Sequence, residues 1–221
     1  NKVHLNFGQK ILQISKVHRK FSTIGLICVL LQLKENGQQN LRQSKTNKKF
    51  VYLISPNKIR DESFYTDLSH VLSSKKVSFF QLRLKKETNL KKLIIGKKIK
   101  KICKKYKVKF LINDDPILAK KLNVDGCHLG QKDMDLIKAR KILKKKIIGV
   151  TCHNSINLAK IATKAGADYL AFGAFYASKT KIVKYRASLT ILKSIKKITS
   201  LPIVAIGGIK LNNYKKLLLN K

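Results

Sequence analysis

From residue 50 onward the chain alternates short apolar runs with longer segments of helical period. The runs that read as strands are 50–55, 77–83, 109–113, 126–129, 147–151, 169–172 and 203–206. Between them, helical spacing is expected over 63–74, 89–106, 115–122, 134–143, 154–165 and 188–198. Strands that alternate with helices in this way imply a parallel sheet with right-handed crossovers. Two architectures satisfy the pattern, a doubly wound open sheet and a (β/α)8 barrel. In the segment 89–106, Ile95, Ile99, Ile102 and Tyr106 follow helical spacing, while Lys97, Lys98, Lys100, Lys101, Lys104 and Lys105 fall mainly on the opposite face. That division suits an outer helix with one wet side.

Residues 1–49 do not share this alternation. A helical stretch is expected over 21–33, followed by a polar linker over 34–49, and the whole is read as a basic extension of unknown role ahead of a domain spanning 50–221. The segment from 212 reads as a helix that stops without a cap, and the chain does not begin with Met, so a fragment is expected.

Charge changes the picture less than its size suggests. Among 221 residues there are 49 Lys or Arg and 11 Asp or Glu, a formal net charge of +38. Such a field is the signature of a nucleic-acid or membrane-surface binder. Only six of those cations are Arg, however, whereas base reading and phosphate clamping favour the planar guanidinium. No aromatic residues interleave with the lysines of 97–105 to make a stacking platform. A hydrophobic fraction of 44% supports a packed core and excludes a disordered basic tail. The expectation is therefore no specific nucleic acid, with Lys filling exposed positions. The longest apolar run of the first third, 26–31, falls far short of the ~20 residues that span a bilayer, so no membrane partner is expected. Cys28, Cys103, Cys127 and Cys152 are widely separated with no C-x-x-C, which points to reduced thiols in a cytoplasmic protein and against a zinc site.

The suggestive polar residues collect at the C-terminal ends of the strands, where loops build active sites in α/β proteins. In 77–83, alternation puts Gln81 and Arg83 on one face, and Lys85 continues it. Polar residues on the inner face of a buried strand need a reason, and an anionic substrate supplies one. Asn113, Asp114 and Asp115 follow the next strand; Asp115 precedes Pro116 and reads as an N-cap, leaving Asp114 for the site. Five of the 11 acids lie between Asp114 and Asp135. Asp114 and Asp133 come from adjacent strand ends, and hard carboxylate oxygens of this kind suit Mg²⁺ completed by phosphates and water. Asp125 reads as a turn cap and His128 as a structural histidine. Thr151 can offer its hydroxyl to a phosphate. Asn154 is a candidate N-cap or site residue, and His153 stands open between the same two roles. Ser178, Lys179, Thr180 and Lys181 cluster hydroxyls and ammonium groups in one loop, and Gly207-Gly208 can expose backbone N–H groups to a phosphate. Two phosphate sites and a carboxylate metal site together imply metal-assisted displacement of a phosphate or pyrophosphate leaving group.

In order, Q-L-R-L-K, I-N-D-D-P, D-G-C-H-L-G-Q-K-D, I-G-V-T-C-H, G-A-D-Y-L-A-F-G-A-F, S-K-T-K and P-I-V-A-I-G-G-I resemble the thiamine-phosphate synthase family from about Phe50 to the C-terminus. The resemblance implies a TIM (β/α)8 barrel, with its eighth strand missing from this chain and two sheet edges consequently open. It implies a transferase that joins 4-amino-5-hydroxymethyl-2-methylpyrimidine diphosphate to 4-methyl-5-(2-phosphoethyl)thiazole and releases pyrophosphate. By the same resemblance Gln81 contacts the pyrimidine, and Arg83, Lys85, Asn113 and Lys181 hold its diphosphate. Asp114 and Asp133 bind Mg²⁺, and Thr151 stands where the family usually has Ser. Ser178, Thr180 and Gly208 hold the thiazole phosphate, with Ala177-Ser178 replacing the usual Pro-Thr. A thiazole tautomerase of the same superfamily would not need the diphosphate and metal set. A nucleic-acid binder would need none of these residues, and a fragment without activity is the third alternative.

Overall fold

Each apolar run between residues 50 and 206 forms a strand, and the strands pair side by side in chain order. The computed structural model describes residues 27–30, 50–177, 185–210 and 212–219. Its strands are β1 (Ile27–Leu30), β2 (Phe50–Ile54), β3 (Val77–Leu82), β4 (Lys109–Asn113), β5 (Gly126–Leu129), β6 (Ile147–His153), β7 (Tyr169–Gly173) and β8 (Ile203–Ile206). The sheet closes in the order β1 to β8. Successive pairs from β2 to β8 are parallel, so their C-terminal ends share one face of the barrel.

β1 is the exception. It runs antiparallel to β2, with Ile27 opposite Leu53 and Leu30 opposite Phe50, and antiparallel to β8, with Val29 opposite Ala205. The expected open edges are therefore both paired, and the barrel closes without a parallel eighth strand. The helix expected over 21–33 is also corrected, since 27–30 is extended. An apolar run of four to six residues satisfies either element locally. Here two unpaired edges offer hydrogen-bond ladders that a helix would leave empty.

The helices are α1 (Ser63–Ser73), α2 (Asn89–Lys105), α3 (Pro116–Leu122), α4 (Leu136–Leu143), α5 (Ile156–Lys164), α6 (Thr190–Lys196) and α7 (Tyr214–Leu219). Four of the starts are written in side chains: Thr88 accepts from Lys91 N, Asp115 from Leu118 N, Asp135 from Ile137 N and Lys138 N, and Ser155 from Leu158 N. The cap of α5 is thus Ser155 rather than Asn154, whose Oδ1 accepts from Ser188 N instead. Asp125 ties strands rather than capping a turn, accepting from Phe110 N and Lys109 Nζ.

Strand alternation divides the core in two. Val51, Leu53, Phe80, Phe110 and Ile112 pack outward against the helices. Tyr52, Ile54, Leu111, Tyr169, Ala171 and Val204 fill the barrel interior. Gly149 makes the interior arrangement possible: a Cβ there would lie 1.8 Å from Tyr169 Cζ and 2.3 Å from its hydroxyl oxygen. Among the described residues no helix is long and apolar enough to cross a membrane.

Candidate active site

Gln81, Asn113, His128 and Thr151 sit on β3 to β6 near the C-terminal face. β3 ends at Leu82, so Arg83 and Lys85 lie on the loop beyond it rather than continuing the strand face with Gln81. The loop after β2 holds Arg83 in place: Ser55 Oγ accepts from Arg83 N at 2.8 Å, and Asn57 Oδ1 accepts from its guanidinium. Burial lowers the pKa of Arg83, and the nearby Asp114 charge opposes that shift. A guanidinium so placed stays charged.

Asp114 follows β4 with φ of 66°, a left-handed conformation that aspartate tolerates better than most residues. Its amide donates to His128 O at 2.8 Å, and its carboxylate pairs with Lys85 Nζ at 3.0 Å. Asp133 Oδ2 accepts from Gly130 N at 2.7 Å. Burial, followed by the side-chain bond with Asp114, pushes the Asp133 carboxyl above the usual range. The two carboxyls thus meet from adjacent strand ends, as the spacing predicts. A cation bound between two such carboxyls would favour the charged form that burial and the neighbouring acid oppose at Asp133. Among the described residues no cluster of three or more His, Cys, Asp or Glu could hold a metal. Two hard oxygen donors alone fit Mg²⁺, which keeps water and phosphate ligands, and do not fit zinc. A cleft of about 290 Å³ opens beside them, lined by Lys85, Lys92, Asn113 and Asp114 among others.

The five acids between Asp114 and Asp135 therefore separate by function. Asp135 caps a helix, Asp125 ties strands, and Asp115, although it lines the cleft beside Asp114, spends its carboxylate on capping α3, which leaves Asp114 and its hydrogen-bonded neighbour Asp133 as the pair at the cleft edge.

Below the cleft, six side chains from six strands join in one hydrogen-bonded chain. Gln81 Nε2 donates to Asn113 Oδ1, and Tyr52 donates to Gln81 Oε1 at 2.9 Å. The Tyr52 and Tyr169 hydroxyls lie 2.9 Å apart. His128 Nδ1 is 2.8 Å from the Tyr169 hydroxyl, and its Nε2 is 2.8 Å from Thr151 Oγ1. Gln81 and His128 are buried, as the sequence reading of Gln81 required. Burial pushes the His128 pKa down to about 4, so the ring is neutral. Tyr52, Tyr169, Ser55 and Asn57 escaped sequence reasoning. The available signal was alternation: Tyr52 shares a face with Ile54, and Tyr169 with Ala171, so both phenols had to point into the barrel.

His153 ends β6 with φ of 51° and stacks on Tyr185 at 4.2 Å, beside the loop after β7. Ser178, Thr180 and Lys181 lie outside the described residues. Gly208 has φ of 62°, and a Cβ there would meet Ala177 O at 2.2 Å. Only glycine accepts both the conformation and the approach of that chain. On the opposite face, a groove lined by Lys100, Lys104, Lys107, Lys109, Lys145 and Lys146 carries much of the local charge. Three of these lysines are tied down, to Leu122 O, to Asp125, and to Asn123 with Val124 O.

A family model described as thiamine monophosphate synthase matches residues 51–221. Thiamine-phosphate synthase of Pelagibacter ubique is 86% identical over 181 residues, covering 82% of this chain and 87% of that protein. Thiamine-phosphate synthase of Nitrosomonas eutropha is 40% identical over 169 residues, covering 76% and 79%. Among solved structures, a thiamine phosphate pyrophosphorylase from Pyrococcus furiosus superposes with a TM-score of 0.65 at 28% identity, covering 76% of this chain and 79% of that one.

Proposed function

The chain belongs to the thiamine monophosphate synthase family, and on that premise we propose that the cleft at the C-terminal face is where it makes thiamine phosphate. The reaction joins 4-amino-5-hydroxymethyl-2-methylpyrimidine diphosphate to the thiazole phosphate. The C–O bond from the pyrimidine methylene to the diphosphate breaks, its electron pair leaving with pyrophosphate. The thiazole nitrogen then forms a C–N bond to that methylene carbon. The observation that carries the assignment is the convergence of Arg83, Lys85, Asp114 and Asp133 at neighbouring strand ends above Gln81 and Asn113.

In this reading Gln81 orients the pyrimidine, and Arg83, Lys85 and Asn113 take the diphosphate oxygens, with Lys181 completing the set. Lys85 leaves Asp114 to do so, which frees that carboxylate for Mg²⁺ together with Asp133. When bound, Mg²⁺ supplies positive charge to the departing oxygens. Arg83 adds its own from a position fixed by Ser55 and Asn57, which lowers the barrier because little reorganisation accompanies the charge movement, and Lys85 adds its charge once it has left Asp114. Thr151 meets the diphosphate, and Ser178, Thr180 and Gly208 the thiazole phosphate. A cytoplasmic location is supported by Cys103, Cys127 and Cys152, all free and buried, with burial pushing the Cys127 and Cys152 thiols up to about 12. No specific nucleic acid is assigned, since only six of the 49 cations are Arg and three lysines of the basic groove are spent on neighbouring acceptors.

The deciding experiment supplies both substrates with Mg²⁺ and measures thiamine phosphate and pyrophosphate. Equal amounts of the two products are expected, and both vanish when Mg²⁺ is chelated. Isomerisation of a thiazole precursor in the absence of the pyrimidine substrate would instead favour a tautomerase.

A further inference from the structure

The chain from Asn113 to Thr151 has a direction. A phenol has one proton, and Tyr52 gives its proton to Gln81 Oε1. Its oxygen must therefore accept from Tyr169 across the 2.9 Å contact. The Tyr169 proton being used there, the Tyr169 oxygen must accept from His128 Nδ1–H. A buried, neutral imidazole with its proton on Nδ1 presents an acceptor at Nε2, so Thr151 must donate to it. In the ligand-free molecule Thr151 has thus spent its proton inward and offers only lone pairs outward.

That order is wrong for a diphosphate, whose oxygens only accept. Turning over the Gln81 and Asn113 amides reverses every bond. Gln81 Nε2 then donates to Tyr52, Tyr52 to Tyr169, Tyr169 to His128 Nδ1, and His128 Nε2–H to Thr151, whose own proton points outward. Each group still carries one proton. The hydroxyls rotate, while His128 loses its Nδ1 proton to water and gains one on Nε2 from water. The alternative, a lone rotation of the Thr151 hydroxyl, leaves a buried acceptor unmatched at His128, which is costly.

We propose that Tyr52, Tyr169 and His128 are positioning residues that couple the two ends of the pyrimidine diphosphate site, the amide orientation of Gln81 setting whether Thr151 donates or accepts. The inference rests on the synthase reading, in which Gln81 and Thr151 contact opposite ends of one substrate. It explains why an interior otherwise filled with apolar side chains carries two tyrosines and a histidine in series.

The test is the tautomer of His128 in the full chain labelled with ¹⁵N-histidine. Its signal is assigned against variants of the other histidines. The Nδ1–H form is expected in the free protein, and the Nε2–H form after addition of the pyrimidine diphosphate and Mg²⁺ without the thiazole. The same tautomer in both states would overturn the proposal. A second arm uses Tyr169→Phe, which keeps the ring and removes the link. Breaking the chain is expected to raise KM for the pyrimidine diphosphate about 10-fold while KM for the thiazole phosphate stays put, a size typical of losing a buried hydrogen bond. It should also abolish the coupling between Gln81→Leu and Thr151→Val in a double-mutant cycle. Additivity of that pair in the parent protein would count against the proposal. A parent protein that neither binds the pyrimidine diphosphate nor forms thiamine phosphate would overturn the synthase reading, and this inference with it.

Discussion

Gly149→Ala tests the barrel interior with one methyl group. The new Cβ would sit 1.8 Å from Tyr169 Cζ and 2.2 Å from its Cε1, where ordinary contact begins at 3.4 Å. Either β6 moves away from β7, or the Tyr169 ring withdraws and gives up its contacts of 2.9 Å to Tyr52 and 2.8 Å to His128. Overpacking a tight core costs about 1–3 kcal/mol, and two weakened buried hydrogen bonds add about 1 kcal/mol each. A total of roughly 3–5 kcal/mol lowers the melting temperature of a chain this size by about 6–20 °C. The assay is thermal and urea unfolding of the parent, of Gly149→Ala, of Tyr169→Leu and of the double variant. Leucine lacks the colliding ring atoms, so the double variant should be more stable than the sum of the single effects requires. A melting temperature for Gly149→Ala within a degree of the parent, or strict additivity in the double variant, would refute the steric reasoning.

Asp114→Ala should abolish turnover while leaving the unfolding midpoint within about 1 kcal/mol of the parent, because a half-exposed ion pair contributes little stability; retained turnover would remove the metal role. Asp115→Ala, one residue along, should do the opposite, keeping turnover and losing about 1 kcal/mol with the cap of α3, as read by urea titration. Asp133 has a folded pKa above its unfolded value, so in metal-free protein its contribution falls as pH rises from the ordinary carboxylate range through the raised value. Asp133→Asn should therefore raise the metal-free melting temperature at neutral pH and abolish any further increase on adding Mg²⁺; a fall in the metal-free value would contradict this. Removing residues 1–49 exposes the edges of β2 and β8 and should produce concentration-dependent association on size-exclusion chromatography; a monodisperse product of unchanged stability would show that β1 is dispensable.

The seven parallel strands were legible because each is a short apolar run bounded by polar residues, and Asp115 ahead of Pro116 marked the start of α3; Thr88, Asp135 and Ser155 stand one residue ahead of their helices in the same way but went unread. Asp114 and Asp133 could be singled out because acids are scarce in this chain. What stayed hidden depends on contacts distant in sequence. Tyr52 and Tyr169 are 117 residues apart, and nothing near either one announces the other. His128 was read as structural, and its two partners, both distant in sequence, decide what kind of structure it serves. Arg83 could be seen as a candidate cation, whereas its anchors Ser55 and Asn57 belong to a loop with no motif of its own. β1 was read as helix because its fate is set by edges that exist only once the rest of the sheet has formed.

The direction of β1 has a practical corollary. Because it runs against its neighbours, Ile27 lies beside Leu53, at the end of the barrel where β2 finishes, while Leu30 lies beside Phe50, where β2 begins. Ile27 itself is therefore at the mouth, on the rim shared with Arg83 and Lys85. An affinity tag or fusion partner joined directly to Ile27 would be delivered to the entrance proposed for the substrates, and a polyanionic one would compete with them for the same cations.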